Sequence, residues 1–192
     1  MSTSLGGTQL LFDGVPAPLI YARNDQVSGI VPYELSGKAS TQVHVSFGGQ
    51  ISNTVKVPVV EVAPGIFTAD SSGRGQGAIV NQDGTLNSAS NPAPAGSIVF
   101  LYATGEGQTS PGGENGKPAD SPAPQPISQP VTATVGGLSA PVLYAGGVPG
   151  LVAGVLQVNV QIPQGVGGSS SSPLILTFGK ISTQPGVTVA VR

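Results

Sequence analysis

The only histidine of the chain, His44, is the first candidate for chemistry, because an imidazole can act as a general base or bind a metal ion. It lies between Val43 and Val45, and this alternation predicts a strand whose valines face inward and whose histidine faces solvent. The sequence contains no second histidine and no cysteine to complete a metal site. A Ser-His-Asp triad would depend on this one residue, and no pattern marks a serine and an acid for it.

The carboxylates are scattered, and several fall in predicted loops, where hard cations find oxygen ligands. Around Asp83 the further acidic ligands of a calcium loop are missing, so the Asp-Gly pair favours a hairpin turn. Glu106 and Glu114 flank a glycine-rich stretch, but the chain has no tryptophan to line a glycosidase cleft. The loop carboxylates are Asp70, Asp83, Glu106, Glu114 and Asp120.

A Gly-x-Gly-x-Gly pattern at residues 73–77 is the remaining candidate, here for phosphate. It lacks the strand-turn-helix context and the Lys-Ser/Thr of a phosphate-binding loop, so it indicates a turn before a strand. Together these patterns predict that the protein is not an enzyme. We predict no catalytic residue, no cofactor-binding residue, no metal ligand and no cofactor.

The composition limits the classes of partner that the protein is expected to bind. Seven basic residues spread along a chain of net charge −2 form no patch for nucleic acid. No apolar run approaches the roughly 18 residues of a membrane span, so we expect no membrane insertion. The N-terminal residues lack the pattern of a signal peptide. Only 8% of residues are charged, and the polar surface is of the Ser, Thr, Asn and Gln type. This favours an extracellular or cell-surface protein, of which the chain would be a mature piece or a fragment.

Alternation with period 2 recurs along the chain, and helical periodicity is nearly absent. Short alternating segments separated by turns rich in the 29 Gly and 18 Pro residues predict an all-β fold of the sandwich type. The predicted strands are 9–12, 43–47, 54–60, 77–81, 97–103, 131–135, 156–162, 174–178 and 186–191.

An internal repeat organises these strands. Residues 14–22 recur at 137–145, an offset of 123 residues, and residues 26–32 recur at 157–163, an offset of 131. Each copy ends in a valine-rich strand. The second copy is preceded by about 70 residues with further strands, whereas about ten residues precede the first. We therefore predict two sandwich units, 1–62 and 63–192, the first lacking its N-terminal strands, with a long loop at about 104–130.

The sequence resembles a known family, the Solibacter-type uncharacterised C-terminal domain of exported acidobacterial proteins. The resemblance covers nearly the whole chain, and it implies two immunoglobulin-like sandwich units in tandem, of the TIG or IPT type. It implies no activity, so it assigns no catalytic residue. The matching segments are 14–22, 30–34, 63–68, 75–79, 102–107 and 142–146.

The predicted function is a non-enzymatic structural or adhesive module. An incomplete sandwich exposes a sheet edge, so we expect self-association into oligomers or filaments by strand complementation of the first unit. The alternative is a polysaccharide-binding accessory domain that uses the loop 106–129, with Tyr33 and Tyr102 as ligand candidates.

The same pattern predicts which side chains stabilise the fold. Phe47 and Phe178 occupy equivalent positions on inner faces, and their replacement by alanine is expected to cost several kcal/mol each. Replacement of the outward-facing His44 is expected to cost little.

Overall fold

The computed structural model describes residues 1–126 and 130–192. In these residues the fold is all-β, as predicted, and the only helical element is a 3-10 turn at Tyr33–Leu35. None of the described residues belongs to a helix that is long and apolar enough to cross a membrane.

The N-terminal unit is built on β5, which pairs with β1 on one side and with β6 and β7 on the other. β2 extends the sheet beyond β1, and β3 and β4 form a separate hairpin. The strands are β1 (Thr8–Phe12), β2 (Val15–Pro16), β3 (Leu19–Ala22), β4 (Val27–Gly29), β5 (Ser40–Phe47), β6 (Gln50–Ile51) and β7 (Val55–Pro58).

The C-terminal unit contains the remaining strands. They are β8 (Gly65–Ile66), β9 (Gly75–Gln76), β10 (Ile79–Asn81), β11 (Ile98–Thr104), β12 (Thr109–Ser110), β13 (Gln125–Pro126), β14 (Val131–Val135), β15 (Leu138–Ala140), β16 (Val142–Gly147), β17 (Val155–Gln161), β18 (Ser169–Phe178), β19 (Ile181–Ser182) and β20 (Val187–Val191).

Two sheets of the C-terminal unit share one hydrophobic core. The first has the order β10-β11-β17-β16, with β8 also on β11, and the second has the order β15-β14-β18-β20-β9, with β19 on β18. β11 and β17 run antiparallel along their whole lengths. Every second residue of β17 is fully buried, namely Leu156, Val158 and Val160, so alternation places one apolar face of each sheet in the core.

The two units pair their strands in the same register. In the β3–β4 hairpin Tyr21 faces Ser28, and in the β16–β17 pair Tyr144 faces Asn159, with an irregularity at the same place in both. The pairs β1–β5 and β14–β18 also correspond, since Leu10 faces Val45 and Ala133 faces Leu176. These positions follow the sequence offsets of 123 and 131. β1 to β7 thus correspond in order to β14 to β20.

One expectation about the core is wrong. Phe47 shares a face with the core residue Phe12, as alternation requires, but 63% of its surface is exposed, whereas its counterpart Phe178 is 1% exposed. No described strand covers that end of the sheet in the N-terminal unit. Substitution of Phe47 is therefore not expected to cost several kcal/mol.

Candidate interaction surface

The hairpin β3–β4 has an open edge. In the C-terminal unit, β17 is paired on both sides, with β16 and with β11. Its counterpart β4 pairs only with β3 among the described strands, since the N-terminal unit has no counterpart of β8 to β11. The outer backbone edge of Val27–Gly29 therefore lies where a further strand would form hydrogen bonds.

The outer edge of β7 also lacks a strand. Its counterpart β20 pairs with β9, and the Asn87 side chain holds the backbone of Ala190, accepting from its N–H and donating to its carbonyl oxygen at 2.9 Å each. Among the described strands, β7 pairs with β5 alone. β7 carries Lys56 and Pro58, residue types that discourage pairing at sheet edges.

Apolar residues that are buried in the C-terminal unit have exposed counterparts in the N-terminal unit. Exposed apolar residues at positions that are buried in an equivalent unit are typical of an interaction surface. The exposed residues are Val31, Phe47, Val55 and Val57, and their buried counterparts are Ile162, Phe178, Val187 and Val189.

An open cleft of about 1080 Å³ lies between the sheet of the N-terminal unit and the β3–β4 hairpin. Its floor is apolar and includes Leu10, Val27, Val45 and Phe47. Its rim is the hairpin end, residues 23–26, which is polar. The guanidinium of Arg23 lies 4.9 Å from the centre of the Tyr21 ring, a cation–π contact at this rim.

The N-terminal unit is closed at its other end by a small core. Phe12, Ala17 and Leu35 are buried together, and Leu35 comes from the 3-10 turn. Gly29 of β4 lies against this region, and a Cβ there would come within 3.3 Å of Leu10 and Leu19 side-chain atoms. The hairpin therefore packs closely on the sheet at Gly29, and the cleft opens beyond it.

The predicted long loop is held against the 3-10 turn of the N-terminal unit. Asn115 accepts a hydrogen bond from the backbone N–H of Tyr33 at 3.0 Å and donates one to the Glu34 carboxylate at 2.6 Å. Gln108 donates to the carbonyl oxygen of Tyr33 at 3.0 Å. Residues 127–129 of the predicted ligand-binding loop lie outside the described residues.

The loop also buries a carboxyl group. Glu106 is 5% exposed, and burial raises the pKa of its carboxyl above the usual value of 4.5. Burial, with a smaller contribution from the Glu106 charge, raises the pKa of Tyr33 to about 12. The edge of the Tyr33 ring that carries the hydroxyl lies against Gly113, so the half-buried Tyr33 packs in this contact. Its role as a ligand residue stays a prediction.

Glu106→Gln is expected to stabilise the protein at pH 7 and to have little effect at pH 4. The raised pKa means that the folded protein holds this proton more tightly than the unfolded chain, so stability is lost as the pH rises from 4.5 through the folded pKa. The loss is about 1.4 kcal/mol per unit of pKa difference, and glutamine removes it. Urea unfolding of both proteins between pH 4 and pH 8 measures it.

Glu114→Gln is the control for this prediction, since that side chain is 65% exposed. It should change stability little at either pH. A Glu106→Gln protein that is less stable than the parent at pH 7 would show that the ionised carboxylate is stabilising.

The other candidate residues do not form a site. No group of three or more His, Cys, Asp or Glu side chains that could hold a metal ion occurs in the described part of the chain. His44 lies on the face of β5 opposite to Val43 and Val45. Asp83 accepts from the backbone N–H of Thr85 at 3.0 Å, within the hairpin turn that the sequence predicts.

The equivalent tyrosines of the repeat differ in their contacts. Tyr144 donates its hydroxyl proton to the carbonyl oxygen of Gly147, as expected for a tyrosine packed at a sheet edge. Tyr21 instead lines the cleft, under Arg23. Local sequence did not reveal the cleft. The signal that could have found it is the repeat alignment itself, which places Tyr21, Val45 and Phe47 where the first unit lacks strands.

No protein-family model matches this chain, and no curated protein or solved structure matches it. Its function must therefore be inferred from the chain's own residues and their geometry.

Proposed function

We propose that the protein is a non-enzymatic structural or adhesive module of an exported or cell-surface bacterial protein, and that it associates through the open cleft of its N-terminal unit. In this proposal residues 1–62 and 63–192 are immunoglobulin-like units in tandem, related to the Solibacter-type domains. The first partner to test is a second copy of the chain, which would give oligomers or filaments.

One observation carries the proposal. On the cleft floor Phe47 is exposed, and Leu10, Val27 and Val45 are half-buried. Their equivalents in the C-terminal unit are all buried, in one core with residues of β8, β10 and β11: they are Phe178, Ala133, Val158 and Leu176. Burial of apolar surface contributes about 25 cal/mol per Å², so covering the floor favours association.

Sedimentation tests self-association. The unaltered protein should sediment with a mass that rises with concentration, and Phe47→Asp should sediment as a monomer because a charge cannot be buried in the apolar contact. Leu86→Asp is the matched control, since Leu86 is an exposed apolar residue of the C-terminal unit at 74%. A protein that stays monomeric at every concentration contradicts self-association.

A polysaccharide is the second candidate ligand. It is favoured by the lining of the cleft, where Tyr21 and Phe47 offer aromatic rings and Arg23 offers a hydrogen-bond donor beside polar residues. Binding on a glycan array that is lost with Phe47→Ala would support this candidate. An array without binding would remove it.

A further inference from the structure

We propose that the occupant of the cleft is a single extended strand from outside residues 1–192, which pairs antiparallel with β4 in the place that β11 takes on β17. This inference rests on the proposed role of the cleft as a binding surface, and it names the ligand. The ligand is an uncharged segment of about seven residues in which every second side chain is aliphatic.

The C-terminal unit supplies the pattern of such a strand. Val99, Leu101 and Ala103 of β11 are fully buried and share a core with Leu176 and Phe178. The latter two are the counterparts of Val45 and Phe47 on the cleft floor. A strand of the β11 type would therefore place its alternate side chains over that floor.

The same comparison fixes the register. Phe100 of β11 faces Asn159, and Leu101 faces Val158. Their counterparts in β4 are Ser28 and Val27. The incoming residue in the place of Phe100 should thus lie opposite Ser28, with its side chain on the face away from the cleft floor.

The edge of β4 is the better of the two open edges. β7 presents Lys56 and Pro58, which oppose the addition of a strand, whereas β4 consists of Val27, Ser28 and Gly29. The rim beside β4 carries Arg23 and Asp25, charges of opposite sign, so no net charge is demanded of the ligand.

Exchange of the β8 to β11 segment between copies does not fill every cleft, so self-association of the copies requires a different contact at the cleft. Residues 1–192 contain two acceptors, β1 to β7 and β14 to β20, but one segment of the β8 to β11 type. If one copy gave that segment to another, its own C-terminal unit would open, so the number of open acceptors would be unchanged. A strand from outside residues 1–192 fills the cleft without that loss.

The N-terminal residues of the chain do not act as the missing strand. The carbonyl oxygen of Ser2 accepts a hydrogen bond from the N–H of Leu19 at 2.8 Å, and the amino group of Met1 donates to Gly116. These contacts place Met1 and Ser2 on the side of β3. Leu5 and Gly6 line the cleft but form no ladder with β4.

A cross-linking experiment tests both the ligand and its register, because the chain has no cysteine of its own. The probe is a peptide of residues 96–105 with lysines added at both ends for solubility. Ser28→Cys protein is oxidised with three peptides that carry cysteine in place of Val99, Phe100 or Leu101. A disulfide is expected for the Phe100 position alone, because the neighbouring side chains point to the other face.

Binding of the unsubstituted peptide is measured on the unaltered protein, on Phe47→Asp and on Leu86→Asp. We expect an affinity loss of at least about tenfold for Phe47→Asp and none for Leu86→Asp. Equal binding of a peptide with the same composition in scrambled order would overturn the inference, as would equal cross-linking at all three positions.

The results of these binding experiments can be distinguished from the results of the self-association test. A monomeric protein that binds the peptide in the expected register supports the inference and removes self-association. An oligomer that excludes the peptide, and whose Ser28→Cys form cross-links to itself, shows that a second copy fills the cleft and overturns the inference.

Discussion

Phe178→Ala is expected to lower the free energy of unfolding by about 3–5 kcal/mol, and Phe47→Ala to change it by about 0.5 kcal/mol or less. The two residues are equivalent in the repeat, both at the end of the strand that forms the centre of a sheet. Phe178 lies in the main core and is 1% exposed, so its loss leaves a cavity. Phe47 leaves none, because solvent already reaches its ring.

Urea unfolding of the two variants measures this difference. The protein concentration should be low enough for the chain to be monomeric, since association would bury Phe47 and add to its effect. Similar losses for the two monomeric variants would mean that the Phe47 ring is covered within the chain. The pair is its own control, because residue type and strand position are the same.

The exposure of Phe47 could not have been predicted from its strand. Alternation in residues 43–47 correctly places Val43 and Val45 on the face opposite to His44. Whether that face is covered depends on a segment far away in sequence. In the C-terminal unit Phe178 shares a core with residues of β8, β10 and β11, and the described strands of the N-terminal unit include no counterpart of these. Local pattern gives the direction of a side chain, and only the remote partner decides its burial.

The strands also differ in how well their local sequence predicts them. β14 and β17 were predicted within one residue at each end. The predictions for β5 and β18 have the correct C-terminal end but begin three and five residues too late. The short strands β2, β6 and β12 have two residues each, too few for any periodicity. They form because a neighbouring strand presents hydrogen-bonding groups in register, which no local sequence signal records.

Glu106 shows a further limit of sequence pattern. A glycine-rich, polar stretch predicts an exposed loop, in which a carboxylate would be free to bind a cation. The glycines instead allow a close packing of the backbone that buries this carboxyl group. The burial of Glu106 within its predicted loop thus has a steric cause that involves residues 61–64.

Among the glycines near Glu106, Gly105 is the one whose replacement by alanine is expected to be most damaging. Gly105→Ala should lower the free energy of unfolding by about 3 kcal/mol or more. Gly105 has a φ angle of +78°, and a Cβ there would overlap the carbonyl oxygen of Ala63. Both atoms belong to backbone, and the Ala63 N–H also donates to the Gly105 carbonyl oxygen at 2.9 Å. Rotation of a side chain cannot relieve the overlap, so the chain at Ala63 must move away from β11.

Two other glycines distinguish the effect of the steric overlap from that of the backbone strain. Gly73 has nearly the same φ angle, +77°, but no atom lies within 4 Å of the Cβ position, so Gly73→Ala should cost only the strain of the left-handed backbone, about 1–2 kcal/mol. Gly112 has neither feature, and Gly112→Ala should be neutral or slightly stabilising. Thermal unfolding should rank the three variants in this order. Equal losses at Gly105 and Gly73 would mean that backbone strain alone acts, and that residues 61–64 are free to shift without disturbing the core residues Val62 and Ile66 that they position.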